Sequence, residues 1–231
     1  MLTIRKMLKM KTARFAAAAL GVELLVVRIA AAQGTIYLSN LGEAPVGNGP
    51  VGGDSWFAQP FVTGTNATGY SLNTVQLLMD AAVGSPSGFT AAIYSSPGDG
   101  PPIAYLGSLT GSDPAAGGIF SFASSGLVLS RSTYYSVVIT AATPVSQGAY
   151  AWSAADSFGR IFVAPGDPWA IPDNYYSSTD GSSWTFNPRF NIFQLAIDAT
   201  ANAVPEPGVS GLLVFGGMCF LCMRWRGKPI P

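Results

Sequence analysis

The chain has 231 residues, with 12 basic and 12 acidic side chains, two cysteines and no histidine. The lack of histidine excludes Ser-His-Asp and Cys-His catalytic arrangements, together with zinc or iron sites that depend on an imidazole ligand. The 27 glycines and 17 prolines favour short extended segments joined by turns.

The first predicted element is a secretory leader over residues 1–32. Five cations within residues 5–14 precede an apolar run over residues 15–27, and Ala30-Ala31-Ala32 supplies an Ala-x-Ala cleavage site. A positive region, an apolar region and a small-residue site in this order are what signal peptidase reads. We therefore expect a signal helix that is removed before Gln33, in an exported protein.

Residues 33–199 are predicted to form one all-β domain, an antiparallel β-sandwich of a jelly-roll-like type. Short extended runs alternate with turns rich in Gly, Pro, Asn and Ser, and no long helical periodicity interrupts them. The run at residues 133–141 is apolar on both faces, which predicts a central strand. The predicted strands cover residues 35–41, 55–62, 69–79, 89–94, 103–109, 119–122, 127–129, 133–141, 150–154, 182–186 and 189–199.

Three details of this strand pattern are expectations that the structure can test. Pro60 lies within the second run, which indicates an edge strand or a bulge. Residues 42–53 are rich in glycine and are predicted to form a loop, as are residues 164–183. In the last strand, Phe193 is expected to face the core and Gln194 the opposite side.

The charge of this domain differs from that of the whole chain. Residues 33–204 contain three cations, Arg131, Arg160 and Arg189, against ten acidic residues, which gives a net charge of −7. Such a surface repels nucleic acid and anionic lipid, so no nucleic-acid partner is expected. Acidity of this kind also keeps an exported domain soluble.

Aromatic residues in the second predicted loop and directly after it are candidates for binding extracellular polysaccharide. Rings on exposed loops can stack on sugar rings, while a few polar groups fix the orientation of the ligand. The alternative is that these rings cap the open end of the sandwich and bury area there. The four candidates are Trp169, Tyr175, Tyr176 and Trp184.

No cofactor is indicated except calcium, for which Asp99, Asp173 and Asp180 are candidate ligands because hard oxygen ligands on loops are sufficient. Their spacing does not match an EF-hand. Each lies beside Gly, Pro, Asn or Ser, so turn formation is the competing interpretation. The same interpretation competes with a carboxylate glycosidase, which needs two acids facing each other across a cleft.

The tail begins with a linker over residues 200–207 that ends in Val204-Pro205-Glu206-Pro207. An uncharged apolar run over residues 208–223 follows, and the basic end at residues 224–231 carries Arg224, Arg226 and Lys228. The prolines keep the motif extended, the apolar run predicts a single transmembrane helix, and the cations stay on the cytoplasmic side. Cys219 and Cys222 are small apolar residues of this run.

This tripartite tail resembles the PEP-CTERM sorting signal of exported bacterial proteins. The resemblance implies an exosortase-like processing enzyme as a partner, with transient residence in the inner membrane of a Gram-negative bacterium. The cell surface or extracellular matrix is then the destination. The alternative is a plain C-terminal membrane anchor that is never cut.

A second resemblance covers most of residues 33–152. Leu38-Ser39-Asn40-Leu41, the runs at residues 54–64 and 69–78, and residues 127–129 with 133–135 resemble the choice-of-anchor R domain. Members of that family carry varied C-terminal anchors, the PEP-CTERM type among them. The resemblance implies a secreted β-domain without an assigned activity. The preferred hypothesis is a structural or adhesive surface protein that is not an enzyme, with a carbohydrate-binding module and a carboxylate glycosidase as alternatives.

Overall fold

The computed structural model describes residues 34–156, 162–188 and 191–203. The predicted signal helix, the Pro-Glu-Pro motif, the transmembrane segment and the basic end lie outside these residues. Within the described ranges every regular element is a β-strand, and none of them contains a helix that is long and apolar enough to cross a bilayer. The predicted all-β class is confirmed for this part of the chain.

Fifteen strands form in the described ranges. They are β1 Thr35–Ser39, β2 Pro45–Val51, β3 Trp56–Val62, β4 Tyr70–Gly84, β5 Thr90–Ser95, β6 Ala104–Leu109, β7 Gly118–Ala123, β8 Val128–Leu129, β9 Tyr134–Thr140, β10 Gly148–Asp156, β11 Phe162–Val163, β12 Asn174–Ser178, β13 Thr185–Pro188, β14 Asn191–Phe193 and β15 Leu195–Ala201.

The strands form two antiparallel sheets. The nine-stranded sheet has the order β11-β1-β15-β4-β10-β14, with β2 paired to β10 and with β7 and β8 paired to β4. The six-stranded sheet has the order β13-β12-β3-β9-β5-β6. Strand β9 lies between β3 and β5, which confirms the predicted central strand. Because β1 pairs with β15, Thr35 lies opposite Ala199, and the described chain starts and ends at the same end of one sheet.

Both sheets contribute side chains to one apolar core. Phe61 and Ile139 from the six-stranded sheet and Leu77 and Ile197 from the nine-stranded sheet belong to the same buried cluster. The alternation of inward and outward residues in antiparallel strands produces this arrangement. The two sheets therefore pack face to face as a sandwich.

Strand β3 is an interior strand, so the prediction that Pro60 marks an edge was wrong. Strand β3 lies between β12 and β9, although a proline has no amide to donate to a neighbouring strand. The buried Gln59 side chain supplies a donor in its place, because its Nε2 donates to the Asn174 carbonyl at 3.0 Å. Its Oε1 accepts the Phe193 amide at 2.9 Å, which ties the two sheets together.

Residues 45–51 form a strand rather than the predicted loop, and they pair with β10 over six residues of register. The glycines here permit close packing. A Cβ built on Gly49 would lie 2.8 Å from the Phe193 Cζ and 2.9 Å from the Phe57 Cζ. The absence of a side chain at Gly49 therefore lets two aromatic rings pack directly against the backbone of β2.

Gln194 is fully buried, although only its neighbours Phe193 and Leu195 belong to the apolar core cluster. It lies between β14, which pairs with β10, and β15, which pairs with β4. Its Nε2 donates to the carbonyls of Asn40 at 3.2 Å and Glu43 at 2.9 Å, while the Ser153 hydroxyl donates to its Oε1 at 3.1 Å. These hydrogen bonds satisfy the side-chain amide of Gln194 at the point where the chain passes from pairing with β10 to pairing with β4.

Candidate functional site

Trp169 is a core residue and not a binding residue on an exposed loop. Only 2% of its surface is exposed. Its ring stacks on Tyr37 with centroids 5.0 Å apart, stacks on Phe61 at 6.2 Å, and meets the edge of Tyr70 at 4.8 Å. These contacts fit the alternative interpretation, in which the ring buries area at one end of the sandwich.

Residues 164–183 are not one long loop, because β12 occupies residues 174–178 and pairs with both β3 and β13. Neighbouring residues of a strand point to opposite faces. Tyr175 therefore packs inward, 6.1 Å from Phe57 and 4.9 Å from Phe193. Tyr176 lies on the outer face of the six-stranded sheet, in a separate apolar cluster that includes Trp184.

Four further aromatic residues lie on the same outer face as Tyr176 and Trp184. Trp56 and Tyr94 are half-buried in that cluster. Tyr105 meets Tyr94 edge-on at 5.6 Å, and Phe186 packs against Tyr176 at 5.5 Å. We call these six residues the aromatic face: Trp56, Tyr94, Tyr105, Tyr176, Trp184 and Phe186.

The aromatic face is partly open to solvent. Tyr105 is 57% exposed and Phe186 is 51% exposed. Sequence reasoning missed four of the six rings because they come from β3, β5, β6 and β13, which only the sheet order brings together. The alternation of side chains along β3 was the signal that could have found Trp56. Phe57 and Phe61 belong to the core, so Trp56 points to the opposite face of the sheet.

The connection between β5 and β6 crosses this outer face. It starts beside β9, where the buried hydroxyls of Ser96 and Ser136 lie 2.8 Å apart. It reaches β12, where the Tyr176 hydroxyl donates to the Asp99 carbonyl at 2.6 Å. Two residues before Tyr176, Asn174 is buried, and its Oδ1 has no hydrogen-bond partner within the described residues. A polar acceptor therefore lies beside the rings.

The three calcium candidates occupy separate positions. Asp180 closes the β12–β13 turn, because its Oδ1 accepts the amides of Ser182 and Ser183, each at 2.8 Å. These bonds hold the pKa of Asp180 well below its usual range. Asp99 offers its carbonyl to Tyr176, and Asp173 is exposed just before β12. Residues 34–156, 162–188 and 191–203 contain no group of three or more metal-ligating side chains of the Cys, His, Asp and Glu types.

Other carboxylates fasten different segments of the sandwich. Asp54 accepts the Val145 amide at 2.8 Å, and Asp80 accepts the Asn48 side-chain amide at 2.7 Å. Asp113 accepts the Tyr150 hydroxyl at 2.7 Å. Each of these acids joins two segments that are distant in sequence, as the carboxylate caps of turns and loops do.

Asp167 occupies an open depression of about 470 Å³ near the ends of β1 and β15. Its Oδ1 accepts the Thr65 amide at 2.8 Å, and its Oδ2 accepts the Tyr70 hydroxyl at 2.5 Å. Gly64 makes room for this carboxylate, since a Cβ built there would overlap Oδ1. Both oxygens are thus engaged in holding the segment before β12 against the β3–β4 connection.

Two buried tyrosines make the stability of the domain sensitive to alkali. Burial, reinforced by a hydrogen bond to an aspartate, raises the pKa of Tyr70 and of Tyr150 from 10.0 to about 12. The folded state therefore keeps both phenols neutral, whereas the unfolded state ionises them above pH 10. This contribution to stability is complete below pH 10 and is lost as the pH rises to about 12.

We therefore expect the denaturant midpoint of the chain to fall between pH 10 and pH 12. The fall should be smaller in the Tyr70→Phe and Tyr150→Phe double variant, because two of the phenols that ionise on unfolding are gone. Urea unfolding followed by tryptophan fluorescence over this range measures the effect. An identical decline in the parent and the double variant would show that these two phenols do not contribute.

Comparisons of the chain with models of protein families, with curated proteins and with solved structures found no match.

Proposed function

We propose that the chain is an exported surface or extracellular-matrix protein with a structural or adhesive role, sorted by an exosortase-like enzyme through its tail. The observation that carries the proposal is the order of the tail: Val204-Pro205-Glu206-Pro207, an uncharged apolar run and a basic end. Signal peptidase and the inner membrane are the expected partners before sorting. The cell surface or matrix of a Gram-negative bacterium is the proposed destination.

The layout of the domain supports this role. Strands β1 and β15 are neighbours in the nine-stranded sheet, whereas the aromatic face belongs to the six-stranded sheet. A domain held through its C-terminal end would therefore leave the outer face of the other sheet open to the surroundings. The proposal includes no catalytic step, because the chain lacks histidine and Asp54, Asp80, Asp113 and Asp167 are engaged in separate structural contacts.

Fractionation of cells that produce the chain and its motif variant tests this proposal. The parent should reach the cell surface or medium, whereas a variant with Pro205→Ala, Glu206→Ala and Pro207→Ala should stay in the inner membrane fraction. Ser210→Ala, which lies in the apolar run and leaves the motif intact, is the control and should behave as the parent. Recovery of the parent from the cytosol would refute export, and surface delivery of the motif variant would refute sorting through this motif.

A second candidate function is binding of extracellular polysaccharide by the aromatic face. The specific observation in its favour is that six rings from five strands and one turn lie together, with Tyr105 and Phe186 more than half exposed. Aromatic rings stack on sugars, and small polar side chains fix their orientation. The Asn174 Oδ1 beside these rings is buried and has no hydrogen-bond partner within the described residues.

Retention on insoluble polysaccharides tests this second function. The chain should be retained on at least one neutral polysaccharide such as cellulose or chitin, and the Trp184→Ala and Phe186→Ala double variant should lose retention. Phe162→Ala is a matched control, because Phe162 is 53% exposed but lies in β11 of the other sheet. Equal retention of both variants would contradict a role for the aromatic face.

A further inference from the structure

Half of the exposed large apolar side chains of the described residues lie in one stretch of the sequence. The described residues include ten large hydrophobic side chains that are exposed, and five of them lie between residues 103 and 128. Residues 100–112 and 114–130 contain no charged residue. Three of the five lie on β6 or directly before it, and exposed apolar side chains grouped in this way are typical of an interaction surface. The five residues are Ile103, Tyr105, Leu106, Ile119 and Val128.

Strand β6 forms one edge of the six-stranded sheet. Within the described residues its ladder pairs only with β5, so its other edge presents unpaired backbone groups. The edges β11 and β13 are better protected, because β11 has two residues and β13 has four and ends at Pro188. Strand β6 has six residues, Ala104–Leu109, with no proline and no charge. An edge strand without charge or proline is prone to pair with a strand of another chain.

A gap lies between β6 and the segment that contains β7 and β8. Within the described part of the chain, one isolated β-bridge, between Thr110 and Ala123, spans this gap. On one side of the bridge a depression of about 240 Å³ is lined by Phe89, Leu109 and Phe122, among others. On the other side a depression of about 130 Å³ is lined by residues 106–109 and 124–127. An added strand at β6 would lie beside these depressions.

We propose that β6 is a self-association edge, at which the β6 strand of a second copy of this chain pairs antiparallel to the first. The charge distribution selects this occupant. With a net charge of −7 over residues 33–204, two copies repel each other over most of their surfaces. Two neutral β6 strands meet without any like charges facing each other, and antiparallel pairing of one strand with itself gives a closed two-fold contact.

The pairing joins the six-stranded sheets of two copies into one continuous sheet. The free amides and carbonyls of each β6 find partners, and Leu106 and its neighbours are removed from water. The contact does not use the aromatic rings of β12 and β13, although Tyr105 of β6 belongs to both surfaces. The test of this contact therefore keeps Tyr105 in place.

Site-specific cross-linking of the full-length chain tests the proposal. Cys219→Ser and Cys222→Ser remove the natural thiols, and Ser108→Cys places one thiol on the exposed side of β6. Ser182→Cys places a thiol on the β12–β13 turn as a matched control, because both serines are exposed. With a short bifunctional maleimide, Ser108→Cys should give a cross-linked dimer, and Ser182→Cys should stay a monomer.

Addition of Leu106→Lys to the Ser108→Cys chain should abolish the dimer, because a lysine at the edge blocks strand pairing. Leu106 is 38% exposed, so the variant should keep the parent's urea midpoint. If it does not, Ala104→Lys at another exposed position of β6 serves instead. Absence of a Ser108→Cys dimer, equal dimers at both positions, persistence of the dimer with the edge lysine, or cross-linking to a different protein would each overturn the proposal.

Discussion

Replacing Trp169 by alanine is expected to lower the free energy of unfolding by about 4 kcal/mol, the usual scale for deleting a buried tryptophan ring. The ring is 2% exposed and contacts Tyr37, Phe61 and Tyr70, so its removal leaves a cavity where three other rings meet. Replacing the half-buried Trp184 is expected to cost about 1 kcal/mol.

Urea or guanidinium unfolding of the two variants beside the parent measures this difference. The comparison is informative because the same residue type is removed from both positions and because both tryptophans were candidates for sugar binding. A Trp169→Ala variant that is as stable as Trp184→Ala would show that Trp169 is not part of the core. When the amount of folded protein is the same, Trp184→Ala should reduce retention on polysaccharide more than Trp169→Ala does, because only Trp184 lies on the aromatic face.

Replacing Asn40 by alanine is expected to cost about 3 kcal/mol, because it leaves buried backbone groups without partners. The Asn40 side chain is 1% exposed; its Oδ1 accepts the Leu195 amide at 2.7 Å and its Nδ2 donates to the Phe193 carbonyl at 3.2 Å. These bonds complete the backbone on either side of Gln194, where the chain passes from β14 to β15.

Asn48→Ala is the matched control for this prediction. Asn48 also donates a side-chain hydrogen bond, to Asp80 at 2.7 Å, but it does so in an exposed setting. Its removal is expected to change stability by less than about 0.5 kcal/mol. Denaturant midpoints of the two variants measure the difference. Similar losses at both positions would contradict the role of Asn40 as a buried partner of the strand junction.

The sequence predicted the strands whose side chains alternate between apolar and polar. It failed where a contact with a residue distant in sequence changes what a proline or a glycine indicates. Val75, Leu77 and Met79 alternate along the predicted strand over residues 69–79, and all three are buried. Strand β9 was predicted as central from apolar residues on both faces, and its position between β3 and β5 confirms this. Local pattern was sufficient there because each residue's environment follows from its place in the strand.

The wrong predictions share a long-range cause. Pro60 indicates an edge only if nothing replaces its amide, but Gln59 donates to Asn174, which lies 115 residues away in sequence. The glycines of β2 suggest a loop only if no ring packs on them, yet Gly49 lies under Phe193 and Phe57. Neither the Asn174 partner near Pro60 nor the ring of Phe193 over Gly49 can be inferred from the residues that are adjacent in sequence.

The candidate site was predicted in part for the same reason. Tyr176 and Trp184 lie on one face, but Trp169 and Tyr175 face the core. The sequence placed Trp169, Tyr175 and Tyr176 together in one predicted loop, with Trp184 directly after it. Alternation within residues 174–178 would have separated Tyr175 from Tyr176 if that segment had been interpreted as a strand. The contribution of Tyr94 and Tyr105 depends on the order of β9, β5 and β6, which a pattern along the chain does not reveal.

The intact mass of the protein recovered from the native cell surface or medium tests the central proposal most directly, namely that both chain ends direct export and sorting of the β domain. The proposal predicts a chain that starts at or near Gln33 and lacks residues 208–231. A protein from this fraction whose mass corresponds to all 231 residues, or recovery of the uncut chain from the cytosol alone, would contradict it.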